Sequence, residues 1–125
     1  MTEKVLKVAM TLDELYAGLG EYRYRFDSEA VLQGAIQAAL DALGFPYQRE
    51  VRLDAKSRID FLVGAIGLEV KVGGGLTPML RQIHRYLAFP EVEGLLLVTT
   101  KSSHKRLVSM LQGKPVRVLH VGGWL

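Results

Sequence analysis

The stretch from Arg58 to Val72 constrains this chain most. Arg58-Ile-Asp-Phe-Leu-Val63 and Leu68-Glu-Val-Lys-Val72 are apolar, β-branched runs separated by Gly64-Ala-Ile-Gly67. That is the pattern of two antiparallel strands joined by a tight turn. Period-two alternation places Glu69 and Lys71 on one face and Leu68, Val70 and Val72 on the other. With the turn centred near Ala65-Ile66, Asp60 stands across from Lys71 and diagonal to Glu69, at roughly 4.5–5.5 Å and 7–8 Å between Cβ atoms. Two carboxylates and an amine then converge on one patch of a largely greasy hairpin. Such charges are costly to bury unless paired or bound to an ion, and two hard carboxylates suit Mg²⁺, which keeps room for water and phosphate. The hairpin alone leaves open a solvated pair of strands with one salt bridge.

The rest of the chain supplies helices and strands around it. Residues 4–10 alternate poorly and read as a short leading strand or pairing arm. Thr11-Leu-Asp-Glu14 fits a capping box that opens a short helix to about Leu19. Glu21-Tyr-Arg-Tyr-Arg-Phe26 interleaves aromatics with arginines. It reads either as a nucleic-acid edge, with Arg23 and Arg25 on phosphates, or as a strand whose tyrosines pack inward. Asp27 or Ser28 caps a helix to about Leu43, ended by Gly44, with apolar residues at helical spacing. Glu29 in its first turn suits the helix dipole. A strand follows over Phe45–Leu53. Arg49, Arg52, Lys56 and Arg58 are either a positive rim or solvated edge charges.

Beyond Lys71, Gly73-Gly-Gly75 is either a flexible connection or a place where backbone comes close to a phosphate. Thr77-Pro78 reads as cap and first residue of a helix to about Phe89, on which Gln82 and Tyr86 share a face. Gly94–Thr100 is a continuous apolar run, as in a strand buried on both faces. Lys101-Ser-Ser-His-Lys-Arg106 opens a last helix to about Leu111. Lys101, Ser102 and Lys105 there form a phosphate-docking corner or an ordinary solvated cap. Val116–Val121 closes the sheet, and Trp124-Leu125 ends the chain as apolar material for the core or for a second subunit.

The expected domain is single, residues 1–125, with an α/β core over about 27–121 and an N-terminal arm and short helix over 1–20. Composition excludes several classes. The chain has no cysteine, hence no disulfide, thiolate metal site or iron–sulfur cluster. No apolar run reaches the length of a membrane span, and the N-terminus lacks a signal-peptide pattern, so a cytoplasmic location is expected. Sixteen Lys+Arg against thirteen Asp+Glu give a net charge of +3, a mild basic bias compatible with a phosphate backbone.

Asp60 followed after a β-turn by Glu69-Val-Lys71 resembles the D…(D/E)-x-K signature of the PD-(D/E)XK nucleases, with Ile59 where the proline usually stands. Glu29 resembles the first-helix glutamate of many members. Gln82-Ile-His-Arg-Tyr86 resembles the Q-x-x-x-Y element of RecB-type and Cas-type members. The resemblance spans about residues 27–121 and implies a restriction-endonuclease-like α/β core: a mixed central sheet with a three-stranded meander, flanked by helices. It further implies that Asp60, Glu69 and the Val70 carbonyl hold Mg²⁺ or Mn²⁺, with Glu29 completing that site or a second one. Lys71 would position water and Gln82 orient water or substrate, while Tyr86 supports the site or contacts the strand. Arg23, Arg25, Arg58, Tyr86, Lys101, Ser102 and Lys105 are the expected DNA contacts. The implied activity is metal-dependent DNA hydrolysis, as a homodimeric Holliday-junction-resolvase-type endonuclease. The alternatives are a RecB-like exonuclease or single-strand nuclease, and a non-catalytic DNA-binding module.

Overall fold

The computed structural model describes residues 2–122; the apolar Trp124-Leu125 lies outside them. The chain opens on one long helix, α1 (Glu3–Gly20), capped by the Thr2 hydroxyl, which accepts the Val5 N–H at 3.1 Å. The strand or arm expected over residues 4–10 is therefore helix. Thr11 is no cap: its hydroxyl donates to the Lys7 carbonyl one turn back, at 3.1 Å. Val8, Leu12, Leu15, Tyr16 and Leu19 form one helical stripe on the core, and the first turns belong to the same stripe. The segment after Gly20 is loop rather than strand. Tyr24 turns inward there and donates to the Leu19 carbonyl at 2.6 Å, while Tyr22 stays exposed.

Helix α2 (Glu29–Leu43) follows expectation. Ser28 accepts the Val31 N–H at 3.1 Å, and Gly44 ends the helix in the left-handed conformation at φ 80°. The strands are β1 (Gln48–Arg52), β2 (Arg58–Val63), β3 (Ile66–Lys71), β4 (Gly94–Thr99), β5 (Met110–Leu111) and β6 (Lys114–His120). They form one mixed sheet in the order β1-β2-β3-β4-β6-β5. The meander β1-β2-β3 is antiparallel, and β3, β4 and β6 run parallel. Helix α3 (Leu76–Leu87) makes the crossover between β3 and β4. As the parallel arrangement requires, both faces are covered. Helices α1 and α2 lie over Phe61, Leu68, Val70, Leu96 and Val98, and α3 lies over Leu95, Leu97 and Val116. Every residue of β4 is buried, as its unbroken apolar run demands. No described helix is long and apolar enough to cross a membrane.

Two further boundaries move. Helix α3 starts at Leu76 with Gly75 as its cap residue and no side-chain cap, so Pro78 is its third residue rather than its first. The helix expected over 101–111 is a five-residue 3₁₀ turn, Ser102–Arg106, followed by β5. Gln112 and Gly113 both take positive φ (54° and 72°) and fold β5 back on β6 in a two-residue hairpin, the conformation a type I′ turn needs. That return is what excludes a long helix.

Lys114 closes the far end of α3. Its Nζ donates to the carbonyls of Leu87 (2.7 Å), Phe89 (3.1 Å) and Val92 (2.6 Å), satisfying acceptors that a helix end leaves open. Lys114→Met keeps the aliphatic stem and removes the donors. Urea unfolding of that variant is expected to give a stability lower by about 2 kcal/mol, and an unchanged midpoint would show that the three bonds contribute nothing.

Candidate functional site

The turn of the central hairpin is Gly64-Ala65, and Val63 pairs with Ile66, Leu62 with Gly67 and Phe61 with Leu68. Continued one step, this register sets Asp60 opposite Glu69 rather than opposite Lys71. The shift follows from the turn, whose first position takes a φ of 60° that glycine adopts without strain. The regular ladder then stops, and side chains take over from backbone. Asp60 donates its N–H to Glu69 Oε1 at 3.1 Å, and Val70 donates its N–H to Asp60 Oδ2 at 2.8 Å.

The cause is a change of face. Tyr47, Phe61 and Val63 pack on the α1/α2 side, with Arg49 lying over the Phe61 ring, whereas Val51, Leu53 and Ile59 pack on the α3 side. Strict alternation would keep 47, 49, 51 and 53 together, and likewise 59, 61 and 63. The break falls at Glu50 and Asp60, the one pair missing from the middle of the β1–β2 ladder, and Glu50 carries a φ of 50° that only a few per cent of non-glycine residues adopt. The strands roll over at this pair and bring the Asp60 carboxylate to the rim of β3.

Glu69 is the buried member, at 3 % exposure. Its Oε2 lies 3.0 Å from the Tyr86 hydroxyl, which also lies 3.1 Å from the Arg58 carbonyl and accepts from Gln82 Nε2 at 2.8 Å. Lys71 Nζ stands 3.7 Å from the same Oε2. Burial first, and the Asp60 charge second, push the Glu69 carboxyl up to about 8 against the partial compensation of Lys71. Burial raises Asp60 as well, its bond from Val70 working against the shift. This is an electrostatic deficit: two neighbouring carboxylates in a dry place share one ammonium.

Sequence-expected groups divide accordingly. Asp60, Glu69, Lys71, Gln82 and Tyr86 come together. Glu29 does not join them by contact: it approaches from the α1/α2 layer and accepts the Val72 N–H at 3.3 Å, near enough for its charge to contribute to raising Asp60. Among the described residues no three acidic or histidine side chains form a ready metal cluster. The Asp60–Glu69 pair still fits a divalent cation on its own chemistry, with hard oxygens, a charge surplus and raised carboxyls. Val70 is fully buried with its N–H held by Asp60. Elsewhere, Arg25 pairs with Asp27 at 2.7 Å and Arg23 lines a cleft with Tyr22 and His120, so neither belongs to this cluster. Arg58 is exposed at the start of β2, on the same edge as the site. Lys101, Ser102 and Lys105 are exposed on the 3₁₀ turn, which is too short to act as a helix dipole.

Comparison with family models, curated proteins and solved structures returns no match. Lys71, Thr99 and His120 are the last residues of three adjacent parallel strands, and ligands of open α/β sheets bind outside such carboxyl ends. One residue there escaped sequence reading. His104 is fully buried, with Nδ1 2.6 Å from Thr99 Oγ1 and Nε2 without a partner among the described residues. In the sequence it sits among Lys101-Ser-Ser and Lys105-Arg106, a run that looks wholly solvated. Only the place of Thr99 at the end of β4 turns it inward.

Proposed function

We propose that this protein is a metal-dependent nuclease of the PD-(D/E)XK type that hydrolyses DNA phosphodiester bonds. The observation that carries the reading is the convergence of Asp60, Glu69 and Lys71 at the carboxyl edge of the sheet, with Glu69 buried and its carboxyl raised to about 8. Asp60 and Glu69, with the Val70 carbonyl next to Glu69 in sequence, would hold Mg²⁺ or Mn²⁺, and Glu29 would act on the pair through its charge. A bound cation supplies charge neutralisation at the phosphate and acidifies water.

The chain's own groups do the rest. Lys71 sets its ammonium beside the phosphate oxygens and offsets the negative charge that grows as water adds to phosphorus and the bond to the leaving oxygen breaks. Tyr86, held by Gln82, fixes the orientation of the Glu69 carboxylate. One such site cuts one strand at a time, so cutting both strands of branched DNA takes two copies, as in a homodimeric endonuclease. The Gln82–Tyr86–Glu69 chain favours a second reading, a RecB-like exonuclease, because that element is the lineage's own resemblance.

The test is cleavage of a labelled four-way junction, a linear duplex and a single strand with Mg²⁺, with Mn²⁺ and with EDTA. Paired symmetric cuts in the junction, lost in EDTA, are the expected result. Trimming from ends transfers the assignment to the exonuclease reading, and binding without cleavage under every metal condition overturns both.

A further inference from the structure

Beside the carboxylate pair lies a cavity of about 130 Å³, lined by Lys71, Gly73, Gly74, Gly75, Pro78, Met79, Gln82 and His104. It is well below the roughly 300 Å³ at which pockets for drug-sized molecules begin, so its natural occupant is one small group. Three independent features give that group a charge. First, no carboxylate lines the cavity among the described residues, and Lys71 supplies an ammonium. Second, Gly75 is the cap residue of the twelve-residue α3, and no side chain caps it. The first-turn N–H groups and the positive end of the dipole are therefore left for a ligand.

Third, the buried His104 presents a donor. Thr99 Oγ1 accepts the Lys101 N–H at 3.0 Å, and among the described residues the one acceptor within reach of its own proton is His104 Nδ1 at 2.6 Å. With Nδ1 the acceptor, the proton of the neutral ring resides on Nε2. That nitrogen is buried and, among the described residues, unpartnered, on the side of the ring away from Thr99, and a buried donor without an acceptor costs about 1–3 kcal/mol. The glycine loop is pinned in place by the bond from Gly73 N–H to Thr100 Oγ1 at 3.2 Å.

We propose that this cavity is a phosphate-binding subsite, in which His104 Nε2 and the uncapped start of α3 hold a phosphate group of the nucleic-acid strand next to the one being cut, with the Lys71 ammonium at the cavity's edge favouring its charge. The ligand follows from the nuclease reading; the pocket does not depend on it. Phosphate is the fitting group because its several oxygens accept from donors converging on different sides, which a carboxylate or chloride satisfies less completely.

The experiment is NMR of the full chain, uniformly ¹⁵N-labelled, in EDTA. It is titrated with inorganic phosphate and with a short oligonucleotide carrying either a 5′-phosphate or a 5′-hydroxyl. Shifts at the Gly74 and Gly75 amides and at the His104 ring nitrogens are expected with phosphate. A response to the 5′-phosphorylated oligonucleotide alone assigns a terminal phosphate, and a response to both assigns an internal diester.

Gly75→Asp is the decisive variant. At φ −84° and ψ 165° the backbone suits a capping aspartate, and the added Cβ meets nothing closer than Pro78 Cδ at 3.5 Å. Its carboxylate caps α3 and occupies the anion's place, so the fold is kept or strengthened while phosphate affinity falls by about tenfold or more. His104→Ala should weaken binding comparably. Asp60→Asn should leave it intact, which separates failure of this subsite from failure of the nuclease assignment. Phosphate shifts absent from the wild type, or unchanged in Gly75→Asp, overturn the proposal.

Discussion

Lys71→Ala is expected to reduce phosphodiester cleavage by at least about 10²–10³-fold, the size found when a single transition-state charge stabiliser is removed. The fold should persist. Lys71 is the last residue of β3, partly exposed, and its ion pair with Glu69 is a long 3.7 Å. Without the ammonium, Glu69 holds its proton more firmly and leaves no bare charge behind. Lys71→Arg is expected to recover little, because a planar fork cannot take the place of a compact ammonium between Glu69 and a phosphate. The partner experiment is at Asp60, where the choice of substitution matters. Asp60→Ala strips the Val70 N–H of its acceptor and costs about 1–3 kcal/mol of stability besides the activity. Asp60→Asn keeps an oxygen for that N–H and isolates the loss of charge. Cleavage by Lys71→Ala at the wild-type rate, with melting unchanged, would end the assignment.

The second large effect is on stability. In EDTA the protein is expected to lose stability as pH rises from about 4.5 to about 8. The unfolded Glu69 carboxyl ionises at its ordinary value of 4.5, whereas the folded one keeps its proton to about 8 because burial, and then Asp60, disfavour the charge. Across that window the folded state binds more protons, so each pH unit favours unfolding by up to about 1.4 kcal/mol. Asp60, raised in the same direction, adds to the slope at its lower end. The sum is several kcal/mol, a large part of the stability of an ordinary domain. Glu69→Gln should flatten the profile. Millimolar Mg²⁺ should raise the melting temperature of the wild type more at pH 8 than at pH 5, because the cation binds the ionised pair, and should do little for Glu69→Gln. A flat profile in EDTA would contradict the burial argument, and equal Mg²⁺ effects in both proteins would remove the cation from this site.

Much of this site could be seen in the residues alone. Asp60, Glu69 and Lys71 are charges inside apolar strand runs, and Gln82 and Tyr86 lie one helical turn apart beyond the crossover. Such placements survive modest errors in boundaries, because a residue's face depends on parity or on a turn of helix rather than on where the element ends. The helical start of α1 was hidden because Thr11-Leu-Asp-Glu14 imitates a cap in mid-helix. The last helix failed because Gln112-Gly113 carries a two-residue hairpin whose second strand, starting at Lys114, is held by its pairing with β4, a partner that no local window contains.

The sequence by itself determined the order of elements around the meander, the full burial of β4, the span of α2 between Ser28 and Gly44, and the identity of the charged groups on the central hairpin. These follow from periodicity and capping, which act over a few residues. Only the tertiary structure decided how the charges meet. A turn at Gly64-Ala65 set Asp60 against Glu69, and the change of face at Glu50 and Asp60 replaced ladder bonds with carboxylates. Glu29 stayed in the opposite layer, and His104 was drawn under the end of β4. The Glu29 contact joins residues 43 apart in the chain, and the others, though closer in sequence, depend on which side of the sheet is already filled, about which local preference carries no information.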